Sequence, residues 1–351
     1  MDLSAFQFDL PEDRIALRPA EPQDAARLLV VRTGGRLEDR AVHDLPALLS
    51  PTDILIFNTT RVLAAALKAI RPPRNAQGQS VACDVNLIEQ CGPSQWRALA
   101  RPGRRLRIGD RLEFAEGLIA RIAAKHEDGE IDLEFSERNA ALLAAIDRIG
   151  AMPLPPYIAS RRPADASDRV TYQPSLASGE ARSVAAPTAA LHFTPQFLAN
   201  LAAAGITHET VRLDVGLGTF KTLTETQLAE NRLHPEHRTL SRETADRLNA
   251  AFSEGRRLIP VGTTALRTLE SAADLHGHVH AVSGPTQIFL KPGDTFRVTG
   301  GLITNFHLPG SSLFMLVCAL MGTEVMQAAY AHAIKEHYRF YSYGDACLLL
   351  P

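Results

Sequence analysis

The chain has 351 residues, with 37 Lys and Arg against 39 Asp and Glu, a formal net charge of −2. Its 45% hydrophobic and 22% charged residues exclude a disordered or collagen-like chain, and at ~100–200 residues per domain the length allows two domains. Near-neutrality excludes a protein that coats nucleic acid indiscriminately, though not one with a local basic patch.

In chain order, Phe6 to Leu17 alternates loosely and ends at Arg18-Pro19, which predicts a short strand and turn. Ala26 to Arg32 predicts a buried strand closed by Gly34-Gly35, and Asp44 to Leu49 a short helix. Asp53 to Asn58 (DILIFN) predicts another buried strand, followed at once by Thr59-Thr60-Arg61. Polar groups just past the carboxyl end of a buried strand are where open α/β sheets hold ligands, or where a strand end simply meets solvent.

From Leu67 to Ile149 the texture changes to short apolar runs (VACDVNLIE, QWRALA, DRLEFA, LIARIAA, EIDLEF) between Gly, Pro and Asn breaks. That pattern predicts a small all-β barrel or sandwich with little helix. Within it, Arg97 to Arg111 carries six arginines against one aspartate. Such a patch is either a solvated face or a surface that tracks a phosphate backbone, with Arg101, Arg104 and Arg105 as its centre.

Pro153 to Arg182 predicts a long loop or linker. An α/β pattern follows. Thr194-Pro195 starts a helix that Gly205 stops, Thr210 to Val215 is a strand, and Ser241 to Glu254 is a helix burying Leu248 and Phe252. Arg257 to Val261 is a strand, leading through Gly262-Thr263-Thr264 into a helix, where backbone N–H groups and hydroxyls can meet an anion or polar ligand. Neither that turn nor Gly216-Leu217-Gly218 is a Walker or dinucleotide motif. Thr304 to Ser312 (TNFHLPGSS) again joins a strand to a helix, and Thr188 and His192 lie on a Pro-broken loop. Segments around Asn58, His192, Thr263 and His307 are thus expected to face one crevice.

Other signals are weak. His276, His278 and His280 alternate in a polar loop with no cysteine nearby, so a metal site is not expected. No G-x-S-x-G elbow occurs. Tyr338 to Tyr343 (YRFYSY) either stacks on a base or packs a C-terminal strand. Cys83, Cys91, Cys318 and Cys347 are too sparse for a disulfide scaffold. The longest apolar run, Leu313 to Met321, is far short of the ~20 residues that span a bilayer. No secretory signal is evident at the N-terminus, and a cytoplasmic protein is expected.

The blocks FDLPEDRIALRPAEPQDAARLLVV, FNTTRV, MPLPPYI, SVAAPTAALHFT, VGLGTF, VGTTALRTLES, GLITNFHLPGSSLFMLV and YRFYSYGDA, in this order, carry a resemblance along essentially the whole chain. It resembles the S-adenosylmethionine:tRNA ribosyltransferase-isomerase family of queuosine biosynthesis. The resemblance implies an α/β-barrel main domain (1–66 and 150–351) with a small inserted β-barrel (67–149). It further implies transfer and isomerisation of the ribosyl part of S-adenosylmethionine onto 7-aminomethyl-7-deazaguanine at the wobble position of tRNAs with GUN anticodons. Epoxyqueuosine-tRNA, adenine and methionine would be the products. S-adenosylmethionine is then a consumed substrate, with no cofactor, no metal and no membrane, and the expected state is a monomer.

The motif loops supply the candidate site. His192 and His307 are candidates for proton transfer because imidazole titrates near working pH. Glu236 and Glu270 could hold a sulfonium or ammonium, and Arg61 and Arg267 a carboxylate or phosphate. Substrate contacts are expected from Asn58, Thr60, Pro187, Thr188, Phe193, Gly216, Gly218, Thr219, His234, Gly262, Thr263, Thr264, Asn305 and Phe306. The chain departs from the family's usual residues at Thr59, Ala190, Asp214, Asn231 and Asp294. Two other readings stay open: a relative using S-adenosylmethionine on another acceptor, and a catalytically weakened tRNA-binding relative.

Overall fold

The computed structural model describes residues 3–126, 129–216 and 223–351. The chain opens with 3₁₀ turns at Leu3–Phe6 and Glu12–Arg14, not with the expected strand; Ile15 makes a single bridge to Phe340. Phe8 instead packs edge-on against Phe314 and Tyr330, so its apolar residues bury without a ladder. Then come β1 (Arg27–Arg32), β2 (Arg36–Ala41), α1 (Leu45–Leu48), β3 (Ile54–Asn58) and β4 (Arg61–Val62).

The inserted part comprises β5 (Ala66–Arg71), β6 (Val81–Gln90), β7 (Gln95–Arg101), β8 (Arg111–Phe114), β9 (Ile119–Lys125) and β10 (Glu130–Phe135). These close into an antiparallel barrel in the order β10-β7-β6-β5-β8-β9. On β6 the side chains alternate, Val81, Cys83, Val85 and Leu87 inward and Ala82, Asp84 and Asn86 outward, as a period of two requires. Trp96 fills the interior. One helix was not expected: α2 (Asn139–Ile149) plugs the barrel's side with Leu142, Ala145 and Ile146. It ends at Gly150, where a Cβ would fall 1.8 Å from the Ala64 carbonyl oxygen. Only glycine lets the returning chain pass the outgoing one so closely.

The segment expected to be a loop or linker is tied down. It holds α3 (Pro156–Ala159) and α4 (Asp168–Thr171). Buried Asp168 accepts both Arg162 Nη groups at 2.7 Å, the Tyr343 hydroxyl at 2.8 Å and the Asp165 amide at 2.9 Å. Those bonds outweigh its lack of periodicity.

The remaining elements are β11 (Ala181–Ser183), α5 (Pro195–Ala203), β12 (Thr207–Leu213), α6 (Glu225–Glu230), β13 (Glu236–Leu240), α7 (Arg242–Ser253), β14 (Leu258–Val261) and α8 (Thr263–Ala272). After them come β15 (Val282–Thr286), β16 (Leu302–Asn305), α9 (Ser312–Met321), α10 (Thr323–Lys335) and β17 (Ala346–Leu350). Caps start several helices: the side chains of Thr194, Ser241 and Ser311 accept from Phe197, Thr244 and Phe314 amides, each at 3.1 Å. On α7 Leu248 is buried, but Phe252 is 38% exposed, because the apolar face narrows toward the helix end. Helices α9 and α10 meet at a 115° bend, and no single helix among the described residues is long and apolar enough to cross a membrane.

Nine strands form one mixed sheet in the order β15-β13-β12-β3-β14-β16-β17-β1-β2. Strands β12, β3, β14 and β16 run parallel to one another. The fold class is mixed α/β with a small inserted β-barrel, as expected; the main sheet, implied by the resemblance to be an α/β-barrel, has two ends, at β15 and β2. Strands β1, β3 and β17 are near-continuous apolar runs, buried on both faces. At the amino ends of β3 and β14, Arg257 grips buried Asp53 through Nε and Nη2 at 2.8 and 2.7 Å. Both strands are pinned there, and their carboxyl ends are left for chemistry.

Candidate active site

The carboxyl ends of β12, β14 and β16 open into a cleft with about 700 Å³ of empty space, open solvent included. Pro187, Thr188, Gly262, Thr263, Thr264, Asn305, Phe306 and His307 line it, all expected from sequence. So do Tyr157, Tyr341 and Ser342, which were not. The YRFYSY segment is therefore not an exposed stacking platform. Tyr338, Phe340 and Tyr343 are buried, while Tyr341 packs on Tyr157 with ring centroids 4.7 Å apart. Tyr157 donates to Ser342 Oγ at 2.5 Å and accepts its amide at 2.8 Å. Tyr341 holds φ at +73°, a conformation costly for a bulky residue that its surroundings must enforce.

Below the cleft lies a polar layer. Asn58 donates to the Leu213 carbonyl at 2.9 Å and accepts the Leu213 amide at 3.0 Å. Thr60 donates to Asp214 at 2.8 Å and lies 2.7 Å from Ser183 Oγ, which accepts the Val215 amide at 2.7 Å. Neither Asn58 nor Thr60 reaches the cleft; both fix the loop at Asp214 and Val215. Phe193 is likewise buried, edge-on to Phe57 at 4.9 Å.

The two histidines differ. His307 lines the cleft, with Nε2 3.1 Å from Thr304 Oγ1 and its amide donating to Tyr330 OH at 2.9 Å. Burial lowers its pKa from 6.5 to about 3, so its imidazole is neutral at pH 7. His192 lies behind Asn305, outside the lining. Asn305 Nδ2 donates to His192 Nε2 at 3.3 Å, and His192 Nδ1 faces the Gln23 carbonyl at 3.4 Å. The proton is therefore on Nδ1. Burial holds this pKa at about 4, although the Gln23 carbonyl and Asp345 pull upward. With Thr188 donating to Asn305 Oδ1 at 2.8 Å, the Asn305 amide is fixed in orientation.

Val215 and Leu313 line both the cleft and an adjoining groove of about 2050 Å³, open solvent included, between the β-barrel and the main sheet. Gly216, His234, Glu236 and Arg267 line this groove with Asp214, and the barrel contributes Glu89, Cys91, Arg97 and Glu130. Buried Glu236 accepts from Arg267 Nη1 and, at 3.2 Å, from the Gly216 amide. Asp214 also accepts Arg212 Nε at 2.8 Å.

Several expected residues fall elsewhere. Glu270 lines neither space: it accepts the Arg297, Val298 and Thr299 amides at 2.9–3.2 Å and the Thr299 hydroxyl at 2.6 Å. Those four bonds anchor a loop and leave nothing for a cation. Arg61 is half-exposed, 3.9 Å from Asp147, and lines neither space. Gly218 and Thr219 lie outside the described residues. Arg101, Arg104 and Arg105 are exposed at the barrel pole remote from the groove; Arg101 is four residues, or ~13 Å, along β7 from Arg97.

The comparisons with known proteins agree with this geometry. A family model described as "Queuosine biosynthesis protein" matches residues 3–349. An S-adenosylmethionine:tRNA ribosyltransferase-isomerase of Hyphomonas neptunium is 66% identical over 351 residues, covering 100% of both chains. One from Maricaulis maris is 55% identical over 350 residues, covering 99% of each. The crystal structure of a Thermotoga maritima S-adenosylmethionine tRNA ribosyltransferase is 31% identical, with TM-score 0.56 over 99% of this chain and 100% of that one. By full-length match, fold and cleft, the chain belongs to the queuosine biosynthesis protein family.

Proposed function

We propose that this protein transfers and isomerises the ribosyl group of S-adenosylmethionine onto 7-aminomethyl-7-deazaguanine at the tRNA wobble position. The products are epoxyqueuosine-tRNA, adenine and methionine. The observation that carries this reading is the continuity of two unlike spaces through Val215 and Leu313. A two-substrate reaction between a small sulfonium and a tRNA nucleotide needs an enclosed, partly aromatic cleft opening into a wide groove. The tyrosine-walled cleft suits the adenosine end, and the groove admits the nucleotide.

In this reaction a base removes a proton from the carbon beside the sulfonium, and adenine leaves the ribose. The neutral acceptor amine then bonds to a ribosyl carbon and loses a proton. A ribosyl oxyanion closes to the epoxide on the sulfonium-bearing carbon as the carbon–sulfur bond breaks and methionine leaves. His307, the histidine in the cleft lining, is the proton acceptor of this proposal; burial holds its pKa at about 3, so the bound substrate must raise its basicity for it to take the proton. His192 acts through Asn305 as a positioning residue, and no catalytic role is proposed for Arg61 or Glu270. S-adenosylmethionine is consumed as a substrate, with no cofactor or metal. The protein acts as a cytoplasmic monomer on tRNAs with GUN anticodons.

Adenine release measured with and without tRNA bearing the aminomethyl base tests the reading. Release that requires that tRNA supports it; release independent of tRNA assigns the pocket to another acceptor. Arg101, Arg104 and Arg105 are proposed to meet tRNA phosphates beyond the wobble nucleotide. Their joint replacement by alanine is expected to weaken tRNA binding and reduce the log–log salt slope by about 2–3. An unchanged slope would return them to a solvated face.

A further inference from the structure

Arg267 is 4% exposed, yet its Nε and Nη2 have no hydrogen-bond partner among the described residues. Among the described residues Glu236 engages it, at Nη1. An unpaired buried donor on a charged group carries a full desolvation cost. The two idle nitrogens form one edge of the guanidinium, with parallel N–H groups matched to two carboxylate oxygens. The same molecule shows what that edge binds. Arg257 turns Nε and Nη2 on Asp53 at 2.8 and 2.7 Å, and Arg247 turns them on Glu209 at 2.6 and 2.8 Å.

Arg267 lies three residues after Thr264 on α8, on the same helix face. Helical side chains lean toward the helix N-terminus, which carries the guanidinium back toward the cleft. Thr264 lines that cleft and is buried, and its Oγ1 also has no partner among the described residues. Arg267 lines the groove and Thr264 the cleft, about one helical turn apart on α8.

The surrounding charge decides which anion fits. Glu89, Glu130, Asp214 and Glu236 line the groove against Arg97, Arg182 and Arg267. Among the described residues four acids face three bases, which disfavours seating a phosphodiester on Arg267 and leaves the groove to the wobble base itself. The acids favour a carboxylate that arrives beside positive groups of its own.

We propose that the Nε/Nη2 edge of Arg267, with the Thr264 hydroxyl, binds the α-carboxylate of the methionyl end of S-adenosylmethionine and selects this substrate over its decarboxylated form. Glu236 is the positioning residue that fixes the edge. The inference rests on S-adenosylmethionine being the substrate.

Calorimetric titration of the intact protein with S-adenosylmethionine and with decarboxylated S-adenosylmethionine tests it. The wild type is expected to bind the first at least ~30-fold more tightly, because the analogue leaves the buried fork unmatched. Arg267→Gln, whose amide can still donate to Glu236, is expected to bring the ratio within about threefold by weakening S-adenosylmethionine alone, with tRNA affinity unchanged. Thr264→Val is expected to lower the ratio by about three- to tenfold and serves if Arg267→Gln fails to fold. Equal wild-type binding of the two compounds overturns the inference while leaving the substrate intact. A variant that loses tRNA affinity but keeps the ratio overturns it in favour of a phosphate contact. Binding of neither compound contradicts the substrate itself.

Discussion

Replacing Glu236 with alanine is expected to destabilise the protein by about 3–5 kcal/mol. The carboxylate is buried, takes Arg267 Nη1 and accepts the Gly216 amide. Its removal leaves the Arg267 guanidinium buried without a counter-charge, which costs more than the pair itself gains. The joint change Glu236→Leu with Arg267→Met removes both charges, and its stability is expected to return to within about 2 kcal/mol of wild type. That double variant would nonetheless have no fork for a carboxylate. Urea denaturation separates the two cases, and a loss below about 1 kcal/mol in the single variant would show that the pair is solvated.

Acid sensitivity is the second large effect. His192 and His307 are held by burial at about 4 and about 3, below their ordinary 6.5. The unfolded chain takes up protons at both from pH 6.5 downward, whereas the folded protein does not until those lower values. Between the two limits the unfolded state binds more protons, so stability is complete above pH 6.5 and falls as the pH drops. Each histidine contributes at most about 1.4 kcal/mol per pH unit. His192 ceases to contribute near pH 4 and His307 near pH 3. Asp168, whose pKa its Arg162 and Tyr343 bonds lower against the opposing effect of burial, erodes stability in the same direction only below about pH 4. Denaturation midpoints at pH 7.5, 6 and 5 are expected to decline, and His192→Gln with His307→Gln to flatten the decline. A midpoint constant from pH 7.5 to 5 in the wild type would contradict the neutral, buried assignment.

These two predictions concern groups whose identity was readable in the sequence and whose partners and burial were not. LIPV before GTT and LITN before FH announce buried strands meeting polar turns, and the structure brings both turns to one cleft. The β-barrel was legible because inward and outward residues alternate on strands such as β6. Helix α2 was not read, although Leu142, Ala145 and Ile146 stand at helical spacing, because the strand-like runs around it dominated the pattern.

Partners distant in the chain explain the misassignments. Nothing near His192 in sequence announces Gln23 and Asn305, so a fixed, neutral ring looked like a proton shuttle. Glu270 and Arg267 share a helix, yet Glu270 is consumed by amides at 297–299 while Arg267 keeps an idle edge. Tyr157 and Tyr341 meet across 184 positions of chain, and aromatic residues before a terminal strand give no periodicity to mark a cleft wall.

The central claim is a ribosyl transfer that ends on tRNA. Its most direct test is mass spectrometry of the wobble nucleoside after tRNA carrying 7-aminomethyl-7-deazaguanine is incubated with the protein and S-adenosylmethionine. The account predicts epoxyqueuosine at that position, with adenine and methionine released in equal amounts. An unchanged wobble nucleoside from a folded, S-adenosylmethionine-binding protein would contradict it.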